Sequence, residues 1–411
     1  MQLSILGQEN YETDVVESPQ NGRKSKFGVM SHPIVKVMKG PLIDSHFWKT
    51  LPITVRGMMD NGIREDGGGK VNPLAISVDV TKLCNLDCVG CYDHSGPADS
   101  NWRDRSQLTL DEWRTHLKDI TQRFNIVHAT WVGGEPLFEM KHRIRDGVKL
   151  PGEGRFEKGG QIYVEERWRV VESGLDLIPY NMVVTNAAYK WDLPQWVDRN
   201  VSFVVSIDGT RPFHDAVRGR GNYDRSKKKI LSRPDLKFNI TTVLNKSNWQ
   251  SIEELTEEWV DVPNVYGIAF SIGTKIADQR EFDGGKRGGE VDANEGYHLP
   301  WDLRDRAIDR LIAIQEKYPR FVFPARAALE LMTSSRFREA VGYGGDRCPL
   351  KAGRVLSLDS MGIEKEPCVL GPGADCNTCG CIIPYTAAAR RNEVSSFRHI
   401  LDFMEQYTHY K

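Results

Sequence analysis

Cys84-Asn85-Leu86-Asp87-Cys88-Val89-Gly90-Cys91 is the stretch from which the rest of the chain is read. It carries three cysteines spaced C-x3-C-x2-C and comes directly after the apolar run Leu74-Ala75-Ile76-Ser77-Val78-Asp79-Val80. That run reads as a buried strand, which puts the cysteines on a short loop at its end. Three thiolates on such a loop can wrap one face of a cubane iron–sulfur cluster and leave one iron open to an outside ligand, whereas four cysteines suggest plain electron transfer. A zinc site is the competing reading; it wants a fourth ligand, for which His94 stands nearby.

Downstream, strand patterns alternate with helical ones, the signature of a parallel α/β sheet. Strands are expected at 74–80, 126–132, 182–185, 203–207, 238–244 and 266–272. Thr109-Leu110-Asp111-Glu112 is a capping box that opens a helix through Phe124, with Trp113, Leu117 and Ile120 on one face. Further helices are expected at 164–173, 193–199, 252–260, 303–317, 326–332 and 395–407. Six β/α units are expected, and in such a parallel sheet ligands collect at the carboxyl ends of the strands, where the cysteine loop lies. Two insertions rich in glycine and charge, 139–163 and 274–299, follow strands at that end and are candidate lids or substrate walls. The second carries Asp278, Glu281, Asp283, Lys286 and Arg287, which suits a polar substrate.

The 411 residues suffice for a large core, with 55 basic against 56 acidic side chains. A balance that close to neutral gives no broad attraction to nucleic acid or to an anionic membrane. Short basic clusters at 141–145 and 225–229 read as solvated faces. No segment approaches the ~20 apolar residues of a membrane span, and the polar first 26 residues lack a secretory h-region. Eight cysteines in two groups, in a chain of cytoplasmic type, point to metal rather than disulfides.

The cysteine loop resembles the cluster loop of the radical S-adenosylmethionine (SAM) superfamily, and further segments match in the same order. Gly133-Gly134-Glu135-Pro136 looks like the GGEP motif that holds the amino group of SAM. Val183-Val184-Thr185-Asn186 and Val204-Val205-Ser206-Ile207-Asp208-Gly209 look like the next two strands with their polar tips. His214-Asp215-Ala216-Val217-Arg218-Gly219 resembles the segment that follows. One position departs from the pattern: many members place an aromatic side chain before the third cysteine, near the adenine, and here that residue is Gly90, with Tyr92 just after.

By that resemblance Cys84, Cys88 and Cys91 hold a [4Fe–4S] cluster, and Gly133, Gly134, Glu135 and Pro136 meet the ammonium of SAM. Thr185, Asn186, Ser206 and Asp208 are then candidates for ribose or carboxylate contacts, with Arg218 as a partner for the carboxylate. Cys348, Cys368, Cys376, Cys379 and Cys381 resemble the auxiliary-cluster extensions called SPASM and twitch domains, in which a cysteine and a β-hairpin lead to a second cysteine. One further [4Fe–4S] cluster on four of these five thiolates is implied, with zinc as the alternative.

The expected organisation is an N-terminal extension over 1–70 without an evident peptide-recognition domain, a partial (β/α)6 barrel over 71–335, and a cysteine-rich module with a final helix over 336–411. The function implied is reductive cleavage of SAM to a 5′-deoxyadenosyl radical that modifies a small organic substrate or a peptide. An electron donor such as flavodoxin or ferredoxin would supply the electron, and no cobalamin-binding segment is evident. A peptide maturase and a non-catalytic iron–sulfur or zinc carrier are the alternatives; a carrier has no need of GGEP. No acid, base or radical relay is singled out among Tyr92, His94, Tyr266 and a spare cysteine.

Overall fold

The structure, a computed structural model, describes Arg56, Arg64 and residues 69–92, 107–138, 141–143, 156–158, 161–163, 167–189, 201–276 and 297–389. Its centre is an eight-stranded, wholly parallel sheet. β1 (Ala75–Asp79) leads to α1 (Leu110–Arg123) and β2 (His128–Val132). Three short strands, β3 (Lys141–Arg143), β4 (Phe156–Lys158) and β5 (Gln161–Tyr163), form a separate antiparallel sheet within the first insertion. The main sheet resumes with α2 (Trp168–Leu175), β6 (Tyr180–Thr185), β7 (Val201–Ser206), α3 (Arg211–Arg218), α4 (Asn222–Leu231) and β8 (Phe238–Leu244). Then come α5 (Ile252–Trp259), β9 (Val265–Ile272), α6 (Trp301–Lys317), β10 (Val322–Phe323), α7 (Arg326–Leu331) and α8 (Phe337–Val341). The last elements among the described residues are β11 (Val355–Leu358) and α9 (Ile382–Ala389).

The spatial order is β10-β9-β8-β7-β6-β2-β1-β11, so the six expected strands lie side by side in chain order with one extra strand at each edge. Parallel strands need crossovers, and the helices that supply them bury apolar faces on the sheet. On α1 these are Trp113, Leu117 and Ile120, and the capping box is formed as read: Thr109 Oγ1 accepts from Glu112 N, and Glu112 accepts from Thr109 N. On α2 the contact is close enough to demand Gly174, where a Cβ would stand 2.2 Å from the ring of Trp131.

Some boundaries differ from expectation for local reasons. β2 starts at His128 rather than 126, because Ile126 N donates to Phe124 O and Val127 N to Leu74 O before the ladder begins. α2 begins at Trp168 and runs to Leu175. The expected helices at 193–199 and 395–407, most of 1–70 and most of the second insertion lie outside the described residues.

Beyond 336 the chain returns to the barrel sheet. β11 pairs with β1 from Ala75↔Val355 to Val78↔Leu358, and a hairpin follows in which Asp359 Oδ1 accepts from Met361 N and Ile363 N. The loop before α9 docks at the other side, where Ile272 N donates to Gly380 O and Gly380 N donates to Thr274 Oγ1. The cysteine-rich segment therefore pairs with β1 on one side and touches the tip of β9 on the other.

Candidate functional site

The strand tips are in register, so residues far apart in sequence meet along one edge: Asp79 opposite Val132, and Thr185 opposite Val205. The cysteine loop leaves β1 here. Its first turn is pinned by the GGEP turn, since Val80 N donates to Val132 O and Glu135 N to Leu83 O, both at 2.8 Å. Gly133 and Gly134 are required by this approach. Both have positive φ, and a Cβ would lie 2.4 Å from Asp79 Cβ at the first and 2.2 Å from Leu83 O at the second.

Two networks grip the loop. In the first, the fully buried Glu135 carboxylate accepts from Thr185 Oγ1 at 2.7 Å, Asn186 N at 2.8 Å and Leu137 N at 3.2 Å. Asn186 Nδ2 in turn donates to Asn85 Oδ1 at 2.9 Å and to Cys84 Sγ at 3.6 Å. Burial pushes the Glu135 carboxyl up to about 7, against the three donated hydrogen bonds and Arg218, which pull it down. In the second, Arg218 Nε donates to Asp208 Oδ2 at 2.6 Å and the guanidinium also hydrogen-bonds Cys88. Asp208 Oδ1 accepts from Val243 N, while its backbone N–H donates to His214 Nδ1. Burial holds His214 down at about 4, so it serves as a neutral acceptor.

The residues expected to contact SAM are thus brought to one edge, where Thr185, Asn186 and Glu135 bond one another and Asp208 bonds Arg218. Pro136 is buried behind the turn, and Ser206 stands at the end of β7 in register with Thr241. Tyr92 reaches Asp79 Oδ1 at 3.5 Å. Tyr266 sits at the amino end of β9, away from this edge, and His94 lies outside the described residues.

Three residues here carried no sequence signal. Asp79, 1% exposed, takes an ion pair from Lys365 at 2.5 Å. Tyr297 lays its ring on Gly90, where a Cβ would be 2.6 Å away, and against Gly273. It fills the space beside the third cysteine that Gly90 leaves open.

The donor set suits a thiophilic metal centre. Burial pushes Cys84 well up and Cys88 up to about 12, with Arg218 working the other way on Cys88, so metal binding has to displace protons. In the C-terminal group, Cys348 and Cys379 are buried and Cys368, Cys376 and Cys381 half-buried. Cys348 lies within electrostatic reach of the other four. Among the described residues no three of these side chains converge as ligands of a single ion; the thiolates of a cubane bind different irons and need not. Around this group, Arg304 of α6 donates to Thr378 O, Cys379 O, Met332 O and Tyr385 Oη, and Tyr385 also donates to Cys379 O at 2.6 Å.

The open parallel α/β sheet brings the C-x3-C-x2-C loop and the GGEP turn to one edge, as the resemblance to the radical SAM superfamily implied. The chain is similar to the sporulation killing factor maturation protein SkfB of Bacillus subtilis (strain 168), 24% identical over 264 residues. The match takes in 62% of this chain and 52% of SkfB, so the chain spans about half the length of the curated relative it matches. Among solved structures it is similar to Streptococcus suis SuiB bound to the precursor peptide SuiA, with a TM-score of 0.49, 15% identity and coverage of 82% of this chain and 70% of that one. Another is anSMEcpe with bound AdoMet, at a TM-score of 0.47, 13% identity and coverage of 80% and 82%. No family model matches the chain. No helix among the described residues is long and apolar enough to cross a membrane.

Proposed function

We propose that the chain is a radical SAM enzyme that reductively cleaves SAM and uses the 5′-deoxyadenosyl radical to modify an organic substrate. The observation that carries this is the joint hold of the GGEP turn and Asn186 on the Cys84 loop. When bound on Cys84, Cys88 and Cys91, a [4Fe–4S] cluster supplies the electron to the sulfonium and, at its open iron, a chelation site for the amino and carboxylate groups of SAM. The residues do the rest. Asn186 donates toward Cys84 Sγ, which tunes that sulfur and orients the loop. Arg218 favours the thiolate at Cys88 and is itself held by Asp208. The glycine turn leaves backbone polar groups close to the loop for a cationic ligand.

A peptide is the substrate class favoured, because the relative matched over 264 residues is a maturation protein. The C-terminal cysteines hold an auxiliary [4Fe–4S] cluster in this reading, and a cytoplasmic flavodoxin or ferredoxin supplies the electron. The test is anaerobic reconstitution with iron and sulfide, followed by dithionite and SAM. 5′-Deoxyadenosine should form, and should disappear in the Cys84→Ala, Cys88→Ala, Cys91→Ala chain. A cluster-replete sample that forms none would favour an electron carrier. A mass change in a peptide encoded beside this chain would establish the substrate class.

A further inference from the structure

Arg304 is 2% exposed, and among the described residues no carboxylate forms an ion pair with it. Its guanidinium donates to Met332 O at 2.9 Å, Thr378 O at 3.2 Å, Cys379 O at 2.8 Å and Tyr385 Oη at 3.1 Å, with the Trp301 ring 4.4 Å away. These partners engage each of its three nitrogens, and none of them carries a negative charge. A buried charge without a counter-charge costs several kcal/mol, so a folded chain keeps one only where an anion shares the space. The loop that Arg304 grips is the one carrying Cys376, Cys379 and Cys381.

We infer that Arg304 is the counter-charge of a metal–thiolate centre formed by the C-terminal cysteines, a positioning residue that holds the Cys379 backbone and sets the potential of the centre. The inference rests on the reading that those cysteines ligate a cluster. Thiolates on an iron–sulfur core give net negative charge, and the potential of such a core depends on that charge and on nearby hydrogen bonds. A fixed cation beside it stabilises the reduced form most. Arg suits the place, since it cannot lose its proton and its fork reaches several carbonyls at once.

The experiment uses the full chain carrying Cys84→Ala, Cys88→Ala and Cys91→Ala, so that only the second centre forms. To this are added Arg304→Lys, Arg304→Gln or Arg304→Met, each reconstituted anaerobically. Iron and sulfide content, the midpoint potential by EPR-monitored titration, and thermal unfolding with and without metal are read.

The Gln and Met chains should show a potential shifted to more negative values and iron retention against a chelator lowered about 10- to 100-fold. Arg304→Lys should stay near the parent. Arg304→Met removes the hydrogen bonds of the guanidinium in both forms, so the loss in thermal unfolding should be larger in the iron-loaded chain than in the metal-free one. Iron-replete Arg304→Gln with an unchanged potential would overturn the inference, as would iron loss in all three variants, which would mean that fork geometry and not charge is at work. A parent that takes up no metal would instead defeat the reading of the cysteines, and the inference with it.

Discussion

Lys365 Nζ lies 2.5 Å from Asp79 Oδ2, joining the hairpin that precedes Cys368 to the tip of β1, from which the Cys84 loop departs. Asp79 is 1% exposed and the Lys365 side chain 13%, so this pair is screened far less than a surface bridge. Lys365 also lies over the Tyr92 ring, and Lys82 approaches Asp79 at 3.8 Å. Taking away the lysine leaves a buried carboxylate without its shortest partner. Lys365→Met should therefore cost about 3 kcal/mol in denaturant unfolding. Adding Asp79→Asn should recover part of this, with a coupling energy above about 1 kcal/mol. Additive effects would show that the two segments do not depend on this contact.

Glu135 predicts a pH dependence. Its folded-state value of about 7 lies above the ordinary 4.5, because burial outweighs the hydrogen bonds donated to it. A raised carboxyl contributes stability that is fully present below its unfolded value and is lost as pH rises through the folded one. Stability should fall by roughly 3 kcal/mol between about pH 4.5 and 7 on account of this group. Glu135→Gln does not titrate and should flatten the curve in that window. An unchanged slope, measured by urea unfolding across the range, would assign the effect elsewhere.

Two glycines with positive φ should respond differently to alanine. At Gly134 (φ +54) a Cβ meets the Leu83 carbonyl at 2.2 Å, whereas at Gly221 (φ +80) nothing lies within 4 Å. Gly221→Ala should cost only the backbone strain, about 1 kcal/mol. Gly134→Ala must also push the GGEP turn away from the cysteine loop, at roughly 2 kcal/mol or more, and should weaken SAM binding in equilibrium dialysis. Equal effects on stability and no effect on binding would argue against a close fit at the turn.

Gly90→Ala tests the Tyr297 contact. The new methyl would enter the Tyr297 ring, and Tyr297→Ala should relieve the clash. The double variant is expected to unfold less easily than the sum of the two single variants implies. Strict additivity would place the ring elsewhere.

Much of the fold was legible because its strands are long and bounded. Phe238–Leu244 appears in the structure at its expected limits, and its ends have clear turn residues on both sides. β11 was not foreseen as part of the sheet: four residues in a cysteine-rich segment show no period, and only pairing with β1 reveals them as a strand. The residues read from segments beside the motifs do come together, as the hydrogen bonds of Thr185 and Asn186 to Glu135 and of Arg218 to Asp208 show. Those that reach the loop from a distance were not foreseen, since nothing near Tyr297 or Lys365 marks either as a partner of the cysteine loop or of the tip of β1. Arg304 did leave a trace in the spacing, because it shares one helical face with Ile308 and Leu311, where a charge is out of place.

The central claim is that Cys84, Cys88 and Cys91 hold a four-iron cluster whose open iron takes SAM. Electron–nuclear double resonance on the reduced, reconstituted chain, with SAM carrying 15N in its amino group and 17O in its carboxylate, tests it most directly. The account predicts that both nuclei couple to the cluster spin, and that the coupling vanishes in Cys84→Ala. A reduced, cluster-replete chain that shows no coupling from either nucleus would contradict it.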